Sequence, residues 1–226
     1  MSKRIFPLLL VVVAVACKTQ APKQPLVGKT VDSAMVVSAH PLASRVGTDI
    51  LKKGGNAVDA AIATQFALAV VFPSAGNIGG GGFMVLRQNT GEVATLDYRE
   101  KAPTAATANM YLDESGNPVK GLSERGHLSA GVPGSVAGMA EAHAKYGKLS
   151  WKELVQPSVD LALNGFPLTK RQASGLTRLQ DSLKKYNPVL PEFLIREEWN
   201  ENNTIYWTDL GHTLERKRDN GAAGFY

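Results

Sequence analysis

The chain has 226 residues, 44% of them apolar and 20% charged, with a formal charge of +5. That balance is globular, is long enough for one sizeable core, and excludes a disordered tail. The positive excess is mild, and its densest cluster, Glu215-Arg216-Lys217-Arg218-Asp219, is closed by acids at both ends, so it reads as a solvated helix face and not as a nucleic-acid footprint.

Residues 1–16 read as an export signal. Lys3 and Arg4 give a positive start, and Ile5 to Ala16 form an apolar run too short to span a bilayer. Loss of this segment lowers the formal charge to +3, because it carries two basic residues and no acid. Cys17, the only cysteine, falls where such a signal is cut. Ala14-Val15-Ala16-Cys17 resembles the lipobox of bacterial lipoproteins, which implies a lipid-modified Cys17 on an exported protein. Lys18 is compatible with the periplasmic side of an outer membrane. The alternative is an ordinary free or buried thiol. Residues 17–26 mix proline, lysine and glutamine as a tether, and a folded domain is expected over 27–226.

Met35 to Ser38 reads as a short apolar strand. His40-Pro41 then opens a helix with Leu42, Val46, Ile50 and Leu51 at helical spacing, ended by Gly54-Gly55. Asn56 caps a second helix, Ala57 to Val71, in which small and aliphatic residues occupy nearly every side. Such a helix has no face for water and belongs in a core, close against another backbone. Phe72-Pro73 stops it. The glycine-rich stretch from Ser74 to Gly82 leads into a strand at Phe83 to Leu86, a turn at Asn89-Thr90-Gly91 and a returning strand from Val93 to Arg99, a β-hairpin.

Residues 102–126 read as loop, with a turn at Gly116-Asn117-Pro118. Gly131-Val132-Pro133-Gly134 delivers the chain to Ser135, an N-cap for a helix through Tyr146. Ser150-Trp151-Lys152-Glu153 is a capping box opening a helix to Asn164. Residues 168–186 look helical and 187–207 irregular. A last helix runs from about Asp209 to Asn220, where Leu210, Leu214 and position 217 share one face although 217 is lysine. Helices framing a hairpin fit a layered α/β (α+β) domain.

Little of this spells chemistry by itself. Gly79-Gly80-Gly81-Gly82 leads from helix into strand, the reverse of a phosphate loop, and lacks the lysine of one. Four glycines in a row imply backbone that needs φ > 0 or lies against another backbone. Arg99 can hold a carboxylate through two parallel hydrogen bonds, or it can pair locally with Asp97 on the same strand face. His40, His127, His143 and His212 show no metal-ligand spacing, and no nucleophile elbow occurs. No metal or cofactor is implied.

Three blocks taken together carry further. They are Ala39-His40-Pro41-Leu42-Ala43-Ser44 through Gly54-Gly55-Asn56-Ala57-Val58-Asp59-Ala60-Ala61, then Gly79-Gly80-Gly81-Gly82-Phe83-Met84, then Asp97-Tyr98-Arg99-Glu100 with Ala102-Pro103. In this order and spacing they resemble the N-terminal half of the γ-glutamyltransferase family. Gly131 to Gly138, Gln156-Pro157 and Asp219 to Tyr226 extend the likeness.

The resemblance implies an N-terminal-nucleophile hydrolase fold, a four-layer αββα sandwich that is incomplete in this chain. It implies a precursor that cuts itself before a threonine, which becomes the nucleophile and first residue of a small subunit. Arg99 matches the residue that clamps the α-carboxylate of the glutamyl group. The expected partners are a small-molecule γ-glutamyl substrate, an acceptor amino acid, peptide or water, and the small subunit. No nucleic acid is expected, and a membrane only through the lipid anchor.

No Thr-Thr-His or Thr-x-His motif occurs in the sequence. The nucleophile, the oxyanion site and the groups for the α-amine are therefore expected outside this chain, which by itself is not expected to turn over substrate. Tyr206-Trp207-Thr208-Asp209 looks shorter than the family's connection, as an internal deletion would leave it. Two competing readings are a cephalosporin-acylase-like amidohydrolase of the same superfamily and a non-catalytic, lipid-anchored lipoprotein in which Arg99 captures a carboxylate.

Overall fold

The computed structural model describes residues 28, 30–187 and 189–226. The export segment, the tether and Cys17 lie outside them. The chain divides into a unit over Met1–Ala34, whose described residues form no helix or strand, and a unit over Met35–Tyr226 that holds every described element.

Seven α-helices and four strands make up this second unit among the described residues: α1 (Pro41–Lys52), α2 (Ala57–Val71), β1 (Phe83–Arg87), β2 (Val93–Asp97), α3 (Ser135–Tyr146), α4 (Trp151–Asn164), β3 (Phe166–Pro167), α5 (Lys170–Tyr186), α6 (Glu192–Ile195), β4 (Thr204–Ile205) and α7 (Thr208–Asn220). β1 and β2 form an antiparallel hairpin with Phe83 opposite Asp97 and Arg87 opposite Val93. β3 and β4 form a second antiparallel pair. No described helix is long and apolar enough to cross a membrane.

α2 is the centre, as its composition requires. Val58, Ile62, Phe66, Val70 and Val71 are buried, and α1 and α4 pack along its sides. The small residues let backbones approach: a Cβ at Gly47 of α1 would strike Val36 at 2.8 Å and stand 3.2 Å from the Ala60 carbonyl. α2 opens on a reciprocal capping box, in which the Asn56 side chain accepts from the Val58 and Asp59 amides and Asp59 Oδ2 accepts from the Asn56 amide at 2.9 Å. The same fully buried carboxylate accepts the Lys148 and Leu149 amides, which ties the start of α2 to the end of α3. Buried charge is tolerated there because several N–H donors point at it.

His40 caps α1, its Nδ1 accepting the Leu42 amide at 3.3 Å. Burial holds the imidazole below its ordinary value, against a smaller opposing effect of Gln172.

Several expectations are corrected. Met35 to Ser38 forms no strand, because no described segment pairs with it, and Val37 stays largely exposed. Helix α3 is capped at Gly134, not Ser135, which is the first helical residue. The irregular span 187–207 contains α6 and β4, elements of four and two residues that carry too little periodicity to be seen in sequence. Finally, the basic cluster of α7 is not wholly solvated. Glu215, Arg216, Arg218 and Asp219 are exposed or half-buried, but Lys217 is fully buried, at 0% exposure, on the face of Leu214. Its helical phase outweighs its charge.

The hairpin is two-sided. Met84, Leu86 and Leu96 pack onto the core, while Phe83, Val85 and Val93 on the other face are exposed. An apolar sheet face of this kind is a surface for another layer.

Candidate substrate-binding site

Arg99 stands two residues beyond the end of β2, not within it. The pairing does not stop abruptly: the Tyr98 and Gly82 amides and carbonyls exchange hydrogen bonds at 3.0 and 3.3 Å, and Lys101 pairs with Val132 at 2.7 and 3.1 Å. The segment 98–101 is thereby held between the glycine-rich stretch and the approach to α3.

Glycines make this possible by letting three backbones meet. A Cβ at Gly81 would fall within 2.6 Å of the Arg99 Cα, and one at Gly82 would lie 2.7 Å from the Tyr98 ring. Across the segment, a Cβ at Gly134 would collide with the Tyr98 carbonyl oxygen and one at Gly138 with the Tyr98 ring. None of these glycines has positive φ. Of the two reasons for a glycine run, close approach to backbone is the one realised at Gly81. The Gly80 carbonyl also accepts from the Gly134 and Ser135 amides at 2.7 and 2.9 Å, locking the glycine stretch to the start of α3.

The Tyr98 ring fills the space these glycines leave, and its hydroxyl donates to Gln65 Oε1 of α2 at 3.3 Å. Burial pushes that hydroxyl above its ordinary value, with the Gln65 bond opposing, so it stays a donor. Because neighbours along an extended chain point to opposite sides, an anchored Tyr98 turns Arg99 outward. There it lines a cavity of about 240 Å³ with Asp97, Tyr98, Lys101, Val132, Pro133, Gly134, Ala137, Gly138 and Glu141.

The charges around that cavity are unevenly committed. Glu141 pairs with Lys145 at 2.7 Å, and the Asp97 carboxylate accepts the Arg99 backbone amide at 3.0 Å. The Arg99 guanidinium and the Lys101 ammonium form no ion pair or side-chain hydrogen bond among the described residues. The local Asp97–Arg99 ion pair allowed by the sequence is not formed; Asp97 accepts the Arg99 backbone amide instead. Two cationic side chains without an ion-pair partner among the described residues line the cavity, beside Asp97 and Glu141, and a guanidinium in that position can receive a carboxylate through two parallel hydrogen bonds.

Lys101 was invisible in the sequence as a site residue, since only its pairing with Val132 brings it to the cavity. The histidines gather nowhere. His143 Nε2 is 2.8 Å from the Leu149 carbonyl and His212 pairs with Glu215. Among the described residues no group of three or more His, Cys, Asp or Glu is placed to hold a metal ion.

The family model described as gamma-glutamyltranspeptidase matches residues 43–226. The chain belongs to the gamma-glutamyltranspeptidase family. It is 42% identical, over its whole length, to the glutathione hydrolase proenzyme of Pseudomonas sp. (strain A14), and it spans 40% of that protein. The crystal structure of Helicobacter pylori gamma-glutamyltranspeptidase superposes with a TM-score of 0.81 at 45% identity, covering 88% of this chain and 57% of that one.

A cephalosporin acylase from Bacillus halodurans superposes with a TM-score of 0.71 at 25% identity, covering 92% of this chain and 40% of the acylase. The family's N-terminal-nucleophile hydrolase fold, of mixed helix and strand, is thus present in part.

Proposed function

We propose that this chain supplies the amino-acid clamp of an enzyme that transfers or hydrolyses γ-glutamyl groups, such as that of glutathione. One observation carries the reading: Arg99, beside the anchored Tyr98, forms no ion pair or side-chain hydrogen bond among the described residues and lines an open cleft of about 240 Å³. A carboxylate held there by two charge-assisted bonds leaves the γ-carbonyl projecting away, so binding energy at one end positions the reacting atom at the other.

The chemistry belongs to a threonine at the start of a small subunit made from the same precursor. Its hydroxyl attacks the γ-carbonyl carbon, its own α-amine takes the proton, and the amine of the leaving amino acid or peptide departs with a proton. An acceptor amino acid, a peptide or water then releases the glutamyl group. The exposed face of Phe83, Val85 and Val93 suits the layer such a subunit would add. The acylase reading is weaker, with 25% identity against 45%, and a binding protein without catalysis sits poorly with membership of an enzyme family.

The test is steady-state kinetics with a chromogenic γ-glutamyl anilide on the protein at the full length of its relatives. Arg99→Ala should raise KM by roughly 10- to 100-fold, the worth of charge-assisted bonds, with kcat less affected, and Arg99→Lys should recover part of it. An unchanged KM in Arg99→Ala removes Arg99 from the site.

Export and anchoring are proposed on the sequence of the first 26 residues: cleavage before Cys17, lipid modification of its thiol and a place on the periplasmic side of an outer membrane. Cys17→Ser should move the protein from the membrane fraction to the soluble fraction and abolish labelling by radioactive palmitate. Retention of label in that variant sinks the proposal.

A further inference from the structure

Helix α3 forms one wall of the Arg99 cavity, through Gly134, Ala137 and Gly138, and its start has no side-chain cap of its own. Most helices begin on Ser, Thr, Asp or Asn, whose side chain accepts an amide of the first turn. Here the cap is Gly134, because any larger residue would strike the Tyr98 carbonyl, and no side chain of its own can cap the helix. The close approach that builds the site thus strips α3 of its local cap. The Gly134 and Ser135 amides go to the Gly80 carbonyl, while the Ala137 amide, the third of the helix, has no acceptor within the helix.

Its acceptor comes from far along the chain. The Tyr226 hydroxyl accepts from the Ala137 amide at 3.3 Å and donates to the Pro133 carbonyl at 2.7 Å. One phenol thereby bridges the residue before the cap and the first turn after it. The ring has packed neighbours: Tyr226 stacks edge-on against Phe225, centroids 5.1 Å apart, and the Lys217 Nζ lies 3.8 Å from the centre of the Phe225 ring. The turn at Gly221–Gly224 that carries them packs against both α7 and α3.

We propose that Tyr226 is the remote cap of α3 and thereby a positioning residue for the Arg99 cavity, holding Pro133, Gly134 and Ala137 at the distance from Arg99 that a carboxylate requires. This rests on the reading of that cavity as the carboxylate clamp. Tyr226 is not among the residues that line the cavity; it acts through the α3 wall.

The experiment compares Tyr226→Phe, Arg99→Ala and the double variant in the full-length protein, with melting temperature measured alongside kinetics. Tyr226→Phe removes one oxygen atom and keeps the ring. If the position of the α3 wall rests on that hydroxyl, KM should rise roughly three- to tenfold, no more than the worth of the hydrogen bonding removed, with kcat within about twofold of the parent. In the Arg99→Ala background the same change should have no further effect on kcat/KM, because the clamp it serves is already gone.

A KM within twofold of the parent, a kcat that falls while KM stays, an equal effect in both backgrounds, or a variant too unstable to purify would each overturn the proposal. A role in the fold alone gives those results. If Arg99→Ala itself leaves KM unchanged, the clamp reading fails first, and the proposal with it.

Discussion

Gly134→Ala is expected to destabilise the protein by about 3 kcal/mol, the upper part of the range for forcing an extra carbon into a packed site. The new Cβ has no way out. It meets the Tyr98 carbonyl oxygen and carbon and stands 3.1 Å from the Arg99 carbonyl oxygen, all of them backbone. Those atoms are held from the other side by the Gly82–Tyr98 and Lys101–Val132 hydrogen bonds. The φ of −109° at Gly134 suits any residue, so the effect is steric and not conformational.

A loss of that size lowers the melting temperature by roughly 6–12 °C in a domain of this length, and displacement of the α3 wall should raise KM as well. Gly175→Ala is the matched control. Gly175 lies inside α5 with nothing within 4 Å of the point a Cβ would occupy, so alanine there should stabilise by about 1 kcal/mol through helix propensity. Equal melting temperatures for the two alanine variants would refute the account of the Tyr98–Gly134 contact.

Lys217→Met should act in the opposite direction, raising stability at pH 7 by on the order of 3 kcal/mol, as expected when a buried charge is replaced by an apolar group of similar length. Lys217 is fully buried, and its Nζ has no hydrogen-bond partner among the described residues. Burial, and then the neighbouring Arg216, lower its pKa from 10.5 to about 7. The Phe225 face offsets part of this cost for the charged form, by about 2 kcal/mol.

Between pH 7 and 10.5 the folded lysine is neutral and the unfolded one charged, so unfolding takes up a proton and stability rises with pH across that window. The lysine's contribution is fully restored above 10.5 and lost as pH falls to 7, below which it changes no further. Lys217→Met should lack this slope, so its advantage shrinks as the pH is raised. Melting curves at pH 7 and about pH 10 decide the matter, and an identical slope in the two proteins would mean that Lys217 titrates normally in the fold.

Both predictions concern residues whose importance the sequence reveals only in part. Local rules were enough for the long elements. The all-round apolar pattern of residues 57–71 has one stable use, as a core helix, and Asn56 and Ser150 cap their own helices through side chains within reach of the next turn. The order of the glycine, Asp-Tyr-Arg-Glu and Gly-Val-Pro-Gly blocks was legible too, and with it the family. These features depend on spacing of a few residues, and spacing is what a sequence displays.

The tertiary structure decided everything that depends on contact between distant segments. It set Asp97 against the Arg99 backbone amide, brought Lys101 to the cavity by pairing with Val132, and made Gly134 a cap because Tyr98 occupies the space of its missing side chain. It buried Lys217, since a helix rotates as one body and cannot turn one residue out while Leu214 turns in. It also set the Tyr226 hydroxyl on the first turn of α3, 89 positions away in the chain. Hydrogen bonds and steric exclusion act over a few ångströms in space, and no periodicity along the chain encodes which remote residue will arrive within that range.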